Sequence, residues 1–212
     1  MDNFIPIFRG VHLGQSLVEG KSHIDAIRAL GGGRPDYLTD LYLLAGAIPP
    51  HSLIVEIGCN LGESTLVMGM AIKGKESLIV TIDPVFIDGS ISIPDSYSPV
   101  QHNHYSNTIG NLLCNVAHFH LEGYITVIPD YSWDALARWD GRLIDMLFVD
   151  GEHTNEAVKK DCEWMEYVKP GGIAAFDDFF PEIRRAVNEY LAGHPGWNED
   201  NAYSAVKVFR KS

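Results

Sequence analysis

Two groups of residues in this chain have the types and spacing to do chemistry. In "VDGEH", Asp150 and His153 stand three positions apart, and in "FDDFFPE" Asp177 and Asp178 are adjacent. Three carboxylates converging with no basic residue beside them in sequence would repel and raise one another's pKa. A hard divalent cation such as Mg²⁺ removes that conflict, because it takes carboxylate oxygens and completes an octahedron with water or substrate oxygens. Asp150, Asp177 and Asp178 are therefore candidate metal ligands; the rival reading makes Asp178 a helix N-cap and Asp150 a turn residue. His153 is the candidate general base, since imidazole titrates near neutrality and can face the same pocket as Asp150. The rival reading is a helix-start histidine satisfying its own turn. Glu152 is next in line as base and is expected to point to solvent.

The second group is "VEIGCNLGEST", in which Gly58 and Gly62 lie where an apolar run gives way to a helical segment. Glycine lets the chain turn sharply and approach a ligand without a Cβ in the way. The helix that follows offers free N–H groups to an anion. The spacing is GxxxG, not the GxGxxG of dinucleotide sites, and no P-loop lysine follows. A ligand carrying a carboxylate suits the bend better than one carrying a pyrophosphate. Asp83 ends the next apolar run, "SLIVTIDP", where it can accept hydrogen bonds from two ribose hydroxyls or cap the turn made with Pro84.

Composition bounds what such residues can serve. With 212 residues and 46% hydrophobic side chains the chain can bury one sizeable core. A net charge of -12 leaves no basic stripe for a phosphate backbone, which argues against nucleic acid. Cys59, Cys114 and Cys162 show neither disulfide nor zinc-ligand spacing and fit a reducing compartment. "MDNFIPIFRGVHLGQ" has no leader pattern, and no apolar run approaches the roughly 20 residues of a spanning helix. A cytoplasmic protein with no membrane partner is the expectation.

The elements that must position these residues alternate regularly. Strands are expected at "SLIVEIG", "SLIVTIDP", "YITVIPD", "LIDMLFVDG", "GIAAFDD" and "SAVKVFRK". Helices are expected at "STLVMGMAIK", "HYSNTIGNLLCNVAHFHLEG", "SWDALARW", "TNEAVKKDCEWMEYVKPGG" with a glycine stop, and "PEIRRAVNEYLAGH". The strands are continuous apolar runs, as burial on both faces of a parallel sheet requires. The fold class is α/β, a doubly wound three-layer Rossmann-like sheet, mostly parallel with an antiparallel last strand. Residues 1–50 read as an N-terminal helical cap on a single globular domain spanning 51–212, and "AIPP" closes that cap. Ligands of such a sheet bind outside the strands' carboxyl ends. There stand Glu56 to Asn60, Asp83, Asp130, Asp150, Asp177 and Asp178. Neighbouring strands would leave Asp150 and Asp177 about 5 Å apart.

From about His51 to Leu191 the chain resembles the class I S-adenosylmethionine-dependent methyltransferases. "VEIGCNLGEST" looks like their first motif and "VTIDP" like their acidic second-strand end. "LIDMLFVDGEHTNEAVKKDCEWMEYVKPGGIAAFDD" resembles the metal-dependent O-methyltransferase branch, which includes catechol and macrolide sugar O-methyltransferases. The resemblance implies that Glu56 and Ser64 hold the amino and carboxylate groups of the methionine part, that Gly58, Asn60 and Gly62 form the turn, and that Asp83 takes the ribose. It places Ser132 at the adenine and Trp133 over the adenine ring, although a Trp on a short helix can be plain packing. It supports His153 as base and a Mg²⁺-like ion on the three acids. Asp177 departs from the glutamate usual in the sugar-methylating relatives.

The implied reaction moves a methyl group from S-adenosylmethionine to a hydroxyl of a small molecule, a sugar or a catechol-like vicinal diol. The rivals are a non-catalytic or hydroxylase-associated subunit with the same fold and, against the glycine spacing, an NAD-dependent oxidoreductase. "PVFIDGSISIPDSYSPVQHNHYSN" (84–107) interrupts otherwise economical spacing and reads as a substrate lid or a subunit interface. A homodimer or higher homo-oligomer is the common outcome for such domains.

Overall fold

The computed structural model describes residues 20–29, 34–84 and 108–212. The proposed lid or interface therefore lies, from residue 85 to 107, outside the described residues. Seven strands form one sheet in the order β3-β2-β1-β4-β5-β7-β6. They are β1 (Leu53–Ile57), β2 (Leu78–Ile82), β3 (Ile125–Ile128), β4 (Ile144–Val149), β5 (Val168–Phe176), β6 (Trp197–Asp200) and β7 (Lys207–Lys211). The first five pair in parallel, and β7 lies antiparallel to both β5 and β6.

Every residue of β1 and β4 is buried, because helices cover both faces. Alternate residues then serve opposite layers. Ile54, Met146 and Phe148 pack with the layer built from α1 (20–29), α2 (Pro35–Ala47), α3 (Glu63–Ile72) and α4 (Thr108–His118). Val55 and Leu147 pack with α5 (Ser132–Ala137), α6 (Asn155–Cys162) and α7 (Pro181–Gly193). Leu38, Leu41 and Leu44 of α2 are fully buried among the same side chains as Leu66 and Met68 of α3. The "cap" helix is thus continuous with the main core, and that packing carries its first turn to the sheet's carboxyl end. Among the described residues no helix is long and apolar enough to cross a membrane.

Two expectations about elements need correction. "VKPGG" does not stop a helix: α6 ends at Cys162, a 3-10 turn covers Glu163–Tyr167, and these five residues already lie in β5. The register jumps there, Ile144 facing Val168 and Met146 facing Ile173, so the glycine and proline sit in a bulge, where a left-handed Gly171 (φ +79°) fits. The edge strand β6 was not foreseen either. "WNED" carries no apolar run, because an edge strand facing solvent needs only its hydrogen-bonded partner.

Candidate active site

The order of the sheet reverses between β1 and β4, and the loops leaving β1, β2, β4 and β5 meet above that point. Gly58 makes the meeting possible. It has φ +83°, and a Cβ there would lie 2.1 Å from the carbonyl oxygen of Asp150. Its N–H donates to Ile82 O at 2.9 Å, while Asp150 N–H donates to Ile57 O at 2.8 Å. Strand-end packing by itself therefore demands a glycine here. Gly62, φ +91°, caps α3, with Leu112 filling the space a side chain would take.

Between the glycines, the N–H groups of Cys59 and Asn60 both donate to Asp83 Oδ2 at 2.9 Å. Asp83 thus holds the bend. A cleft of about 350 Å³ opens here, lined by Gly58, Asn60, Asp83, Ser132, Trp133 and Asp150 among others. Five of the residues expected at a cofactor are brought together, with Asp150 beside them.

Glu56, Gly62 and Ser64, also expected at the cofactor, stand outside that lining. Glu56 is fully buried, and its two oxygens accept hydrogen bonds from the hydroxyls of Ser64 and Thr65, each at 2.5 Å. Glu56 sits inside β1, so its side chain meets the first turn of α3 behind the cleft wall. Burial pushes its pKa up to about 7, against the lowering effect of the hydroxyls.

Ser132 lines the cleft and donates its hydroxyl proton to Asp161, a buried carboxyl pushed up to about 6 by desolvation. Trp133 is not plain core packing. It lies in the cleft wall, stacked on Tyr131 at 4.8 Å with Lys160 Nζ 4.0 Å above its ring.

The acidic group forms at the ends of β4 and β5, where Val149 faces Phe176 and Asp177 N–H donates to Val149 O at 3.1 Å. His153 lies between the carboxylates, its Nε2 3.5 Å from Asp150 Oδ1 and its Nδ1 3.8 Å from Asp178 Oδ2. Its pKa is raised, first by the hydrogen bond to Asp150 and against partial desolvation, with Asp178 and Asp177 adding to the rise. Asp178 adopts a left-handed φ of +44° and is not the cap of α7, whose N-cap is Phe180 without a side-chain bond. Asp130, also at a strand end, pairs with Arg138 and is spent there.

Two residues of the group were not found from sequence. Arg34, at the N-cap of α2, places a guanidinium nitrogen 2.8 Å from Asp177 Oδ1 and 3.8 Å from Asp178 Oδ1. Tyr37, one turn on and buried, donates its hydroxyl to Asp150 Oδ2 at 2.9 Å. Both lie more than a hundred residues from their partners, and no local spacing announces them. The expectation of acids without a cation among them is thereby corrected. Even so, burial and the neighbouring Asp150 push Asp177 up to about 6.

The fit to Mg²⁺ follows from these contacts. Among the described residues no three Asp, Glu, His or Cys side chains are grouped so as to hold a metal ion. Asp177 turns an oxygen to a guanidinium, and Asp150 turns its two to a phenol and an imidazole. As arranged, Asp150, Asp177 and Asp178 do not make the ligand set expected from sequence.

Residues 55–179 match the family model described as "Methyltransferase domain". The chain is 31% identical over 149 residues to the uncharacterized protein R132 of Acanthamoeba polyphaga mimivirus, a match covering 65% of this chain and 58% of that protein. Its fold is shared with the O-methyltransferase TomG of Streptomyces achromogenes in complex with SAM (TM-score 0.60, 16% identity, 93% of this chain and 90% of that one). It is shared too with an O-methyltransferase of Bacillus cereus in complex with SAH (TM-score 0.58, 16% identity, 92% and 89%).

Proposed function

The chain belongs to the methyltransferase-domain family, and from that premise we propose that it is an S-adenosylmethionine-dependent O-methyltransferase acting on a hydroxyl of a small molecule. The observation that carries this reading is the cleft beside the Gly58 bend. Asp83, Asp150, Glu152 and Asp161 line it, and no lysine or arginine is among its described lining residues. An acidic cleft of that kind suits a cationic sulfonium and the hydroxyls of a ribose. The fold shared with solved O-methyltransferases in complex with SAM and SAH supports the same reading.

In this reading Asp83 and the bend hold the ribose end, and Ser132 and Trp133 meet the adenine. When bound, S-adenosylmethionine supplies an electrophilic methyl carbon and a neutral thioether leaving group. The protein's own task is position and proton transfer. His153 receives the acceptor's hydroxyl proton as the oxygen–carbon bond forms and the carbon–sulfur bond breaks with its electron pair. Asp150 orients His153 and stabilises the imidazolium, and Tyr37 fixes Asp150 in turn. Arg34 neutralises part of the charge that Asp177 and Asp178 would otherwise leave. No metal step is needed for this sequence of events.

The test is a thermal-shift titration with S-adenosylhomocysteine and, in parallel, NAD. Stabilisation by the first alone is the expected result. Stabilisation by NAD alone, or by neither, would overturn the assignment.

A further inference from the structure

Asp161, near the end of α6, lines the cleft beside the Gly58 bend and takes no part in the events described so far. It is 2% exposed. Its two oxygens have different surroundings. Oδ1 accepts the hydroxyl proton of Ser132, at the start of α5. Oδ2 lies toward Gly151, 3.5 Å from the place a Cβ on that glycine would take. Ser132 and Gly151 both line the cleft as well. Among the described residues no donor meets Oδ2. Lys160, its neighbour in sequence, holds its Nζ over the Trp133 ring.

A buried carboxylate oxygen without a donor is costly, and most buried polar atoms have a partner. The polar groups around it cannot supply one. The Ser132 hydroxyl has given its single proton to Asp161 and keeps only lone pairs. The carbonyl of Ser132 already accepts from Trp164 Nε1 at 3.2 Å. Asp161 itself, even with its pKa pushed up to about 6 by desolvation, is mainly ionised at neutral pH and accepts only. Both side chains at this corner therefore take hydrogen bonds and give none. A tie between α5 and α6 would need Oδ1 alone, and Oδ2 is left for something that enters the cleft.

What fits two neighbouring acceptors is a group with two hydrogens to give. On the methyltransferase reading above, we propose that Asp161 selects the base of the methyl donor by accepting a hydrogen bond from its exocyclic amino group, with Ser132 Oγ as the second acceptor. An aminopurine meets that demand. A purine without the amino group leaves a buried, charged oxygen without a donor, which is the larger part of the discrimination such a site achieves. Asp161 is in this way a specificity-determining residue and takes no share in the methyl or proton transfer.

Two probes test the base: S-adenosylhomocysteine and its 6-deamino analogue, in which hydrogen replaces the amino group. Each is titrated calorimetrically into the full chain. The parent protein should bind the amino compound about tenfold or more tightly than the analogue. Asp161→Asn keeps an acceptor for Ser132 but turns an amide NH₂ toward the base, and should erase the preference. Asp161→Ser removes the carboxylate without adding an amide and should narrow it too, which covers an Asp161→Asn protein that does not fold. A purely structural Asp161 would weaken both compounds alike and leave their ratio unmoved. Equal binding of the two by the parent, or a preference that persists in either folded variant, would overturn the proposal. Binding of neither compound by the parent would strike the methyltransferase reading instead.

Discussion

Arg34 reaches across 143 residues to put its guanidinium 2.8 Å from Asp177 Oδ1. A loop before an early helix and the end of β5 are joined by one ion pair, and the acids at the strand ends acquire a cation from within the chain. Removing it changes what those acids can bind. In Arg34→Ala the carboxylates of Asp177 and Asp178 lose their paired cation. The variant should lose about 1 kcal/mol in urea unfolding at neutral pH, a modest figure because the Arg34 side chain is 54% exposed and screened. It should also gain thermal stabilisation by Mn²⁺ or Mg²⁺ that the parent protein lacks. A parent protein that is itself stabilised by either ion would show that the guanidinium gives way to metal.

His153 must be neutral to accept a proton. Its pKa lies above the ordinary 6.5, mainly through the hydrogen bond with Asp150, so the neutral fraction grows only as pH rises past that value. Methyl transfer should therefore climb with pH along a limb centred above 6.5. Asp150→Asn should move that limb downward, and His153→Gln should abolish it with a rate loss of about a hundredfold or more. A pH–rate profile of the three proteins decides the matter. An unmoved limb in Asp150→Asn removes Asp150 from its orienting role.

Glu56 gives a stability signature independent of turnover. Its folded pKa, about 7, lies above its ordinary 4.5 because the carboxyl is buried. A raised folded value means a contribution that is full below 4.5 and is lost as pH rises through about 7; the difference amounts to about 3 kcal/mol. Glu56→Gln should flatten unfolding free energy against pH over that window. Equal slopes for variant and parent in urea titrations would place the charge change elsewhere.

Gly58 allows no side chain. At φ +83°, with a Cβ 2.1 Å from the backbone oxygen of Asp150, alanine strains its own backbone and parts the ends of β1 and β4. Gly58→Ala should cost about 3 kcal/mol of stability and eliminate S-adenosylhomocysteine binding. Calorimetry on the folded variant at low temperature separates the two losses, and intact binding there would remove the bend from the cofactor site.

The linear pattern of residues determined the parallel sheet, because strands buried on both faces must be continuous apolar runs. "SLIVEIG", "SLIVTIDP" and "LIDMLFVDG" show those runs directly. It placed Gly58, Asn60, Asp83 and Asp150 at one cleft as well, since the strands of such a sheet deliver their carboxyl ends to one place, while Ser132 and Trp133 were implied there only by the resemblance to methyltransferases. Tertiary structure alone decided which side chains are spent within the protein. Glu56 looks outward by its place in a motif, yet its register in a fully buried strand turns it to Ser64 and Thr65. The acids looked like a metal cage because only their own neighbours in sequence are legible there. Arg34 and Tyr37 meet them through the packing of α2 on the core, and a contact that spans more than a hundred residues leaves no periodicity or spacing to read.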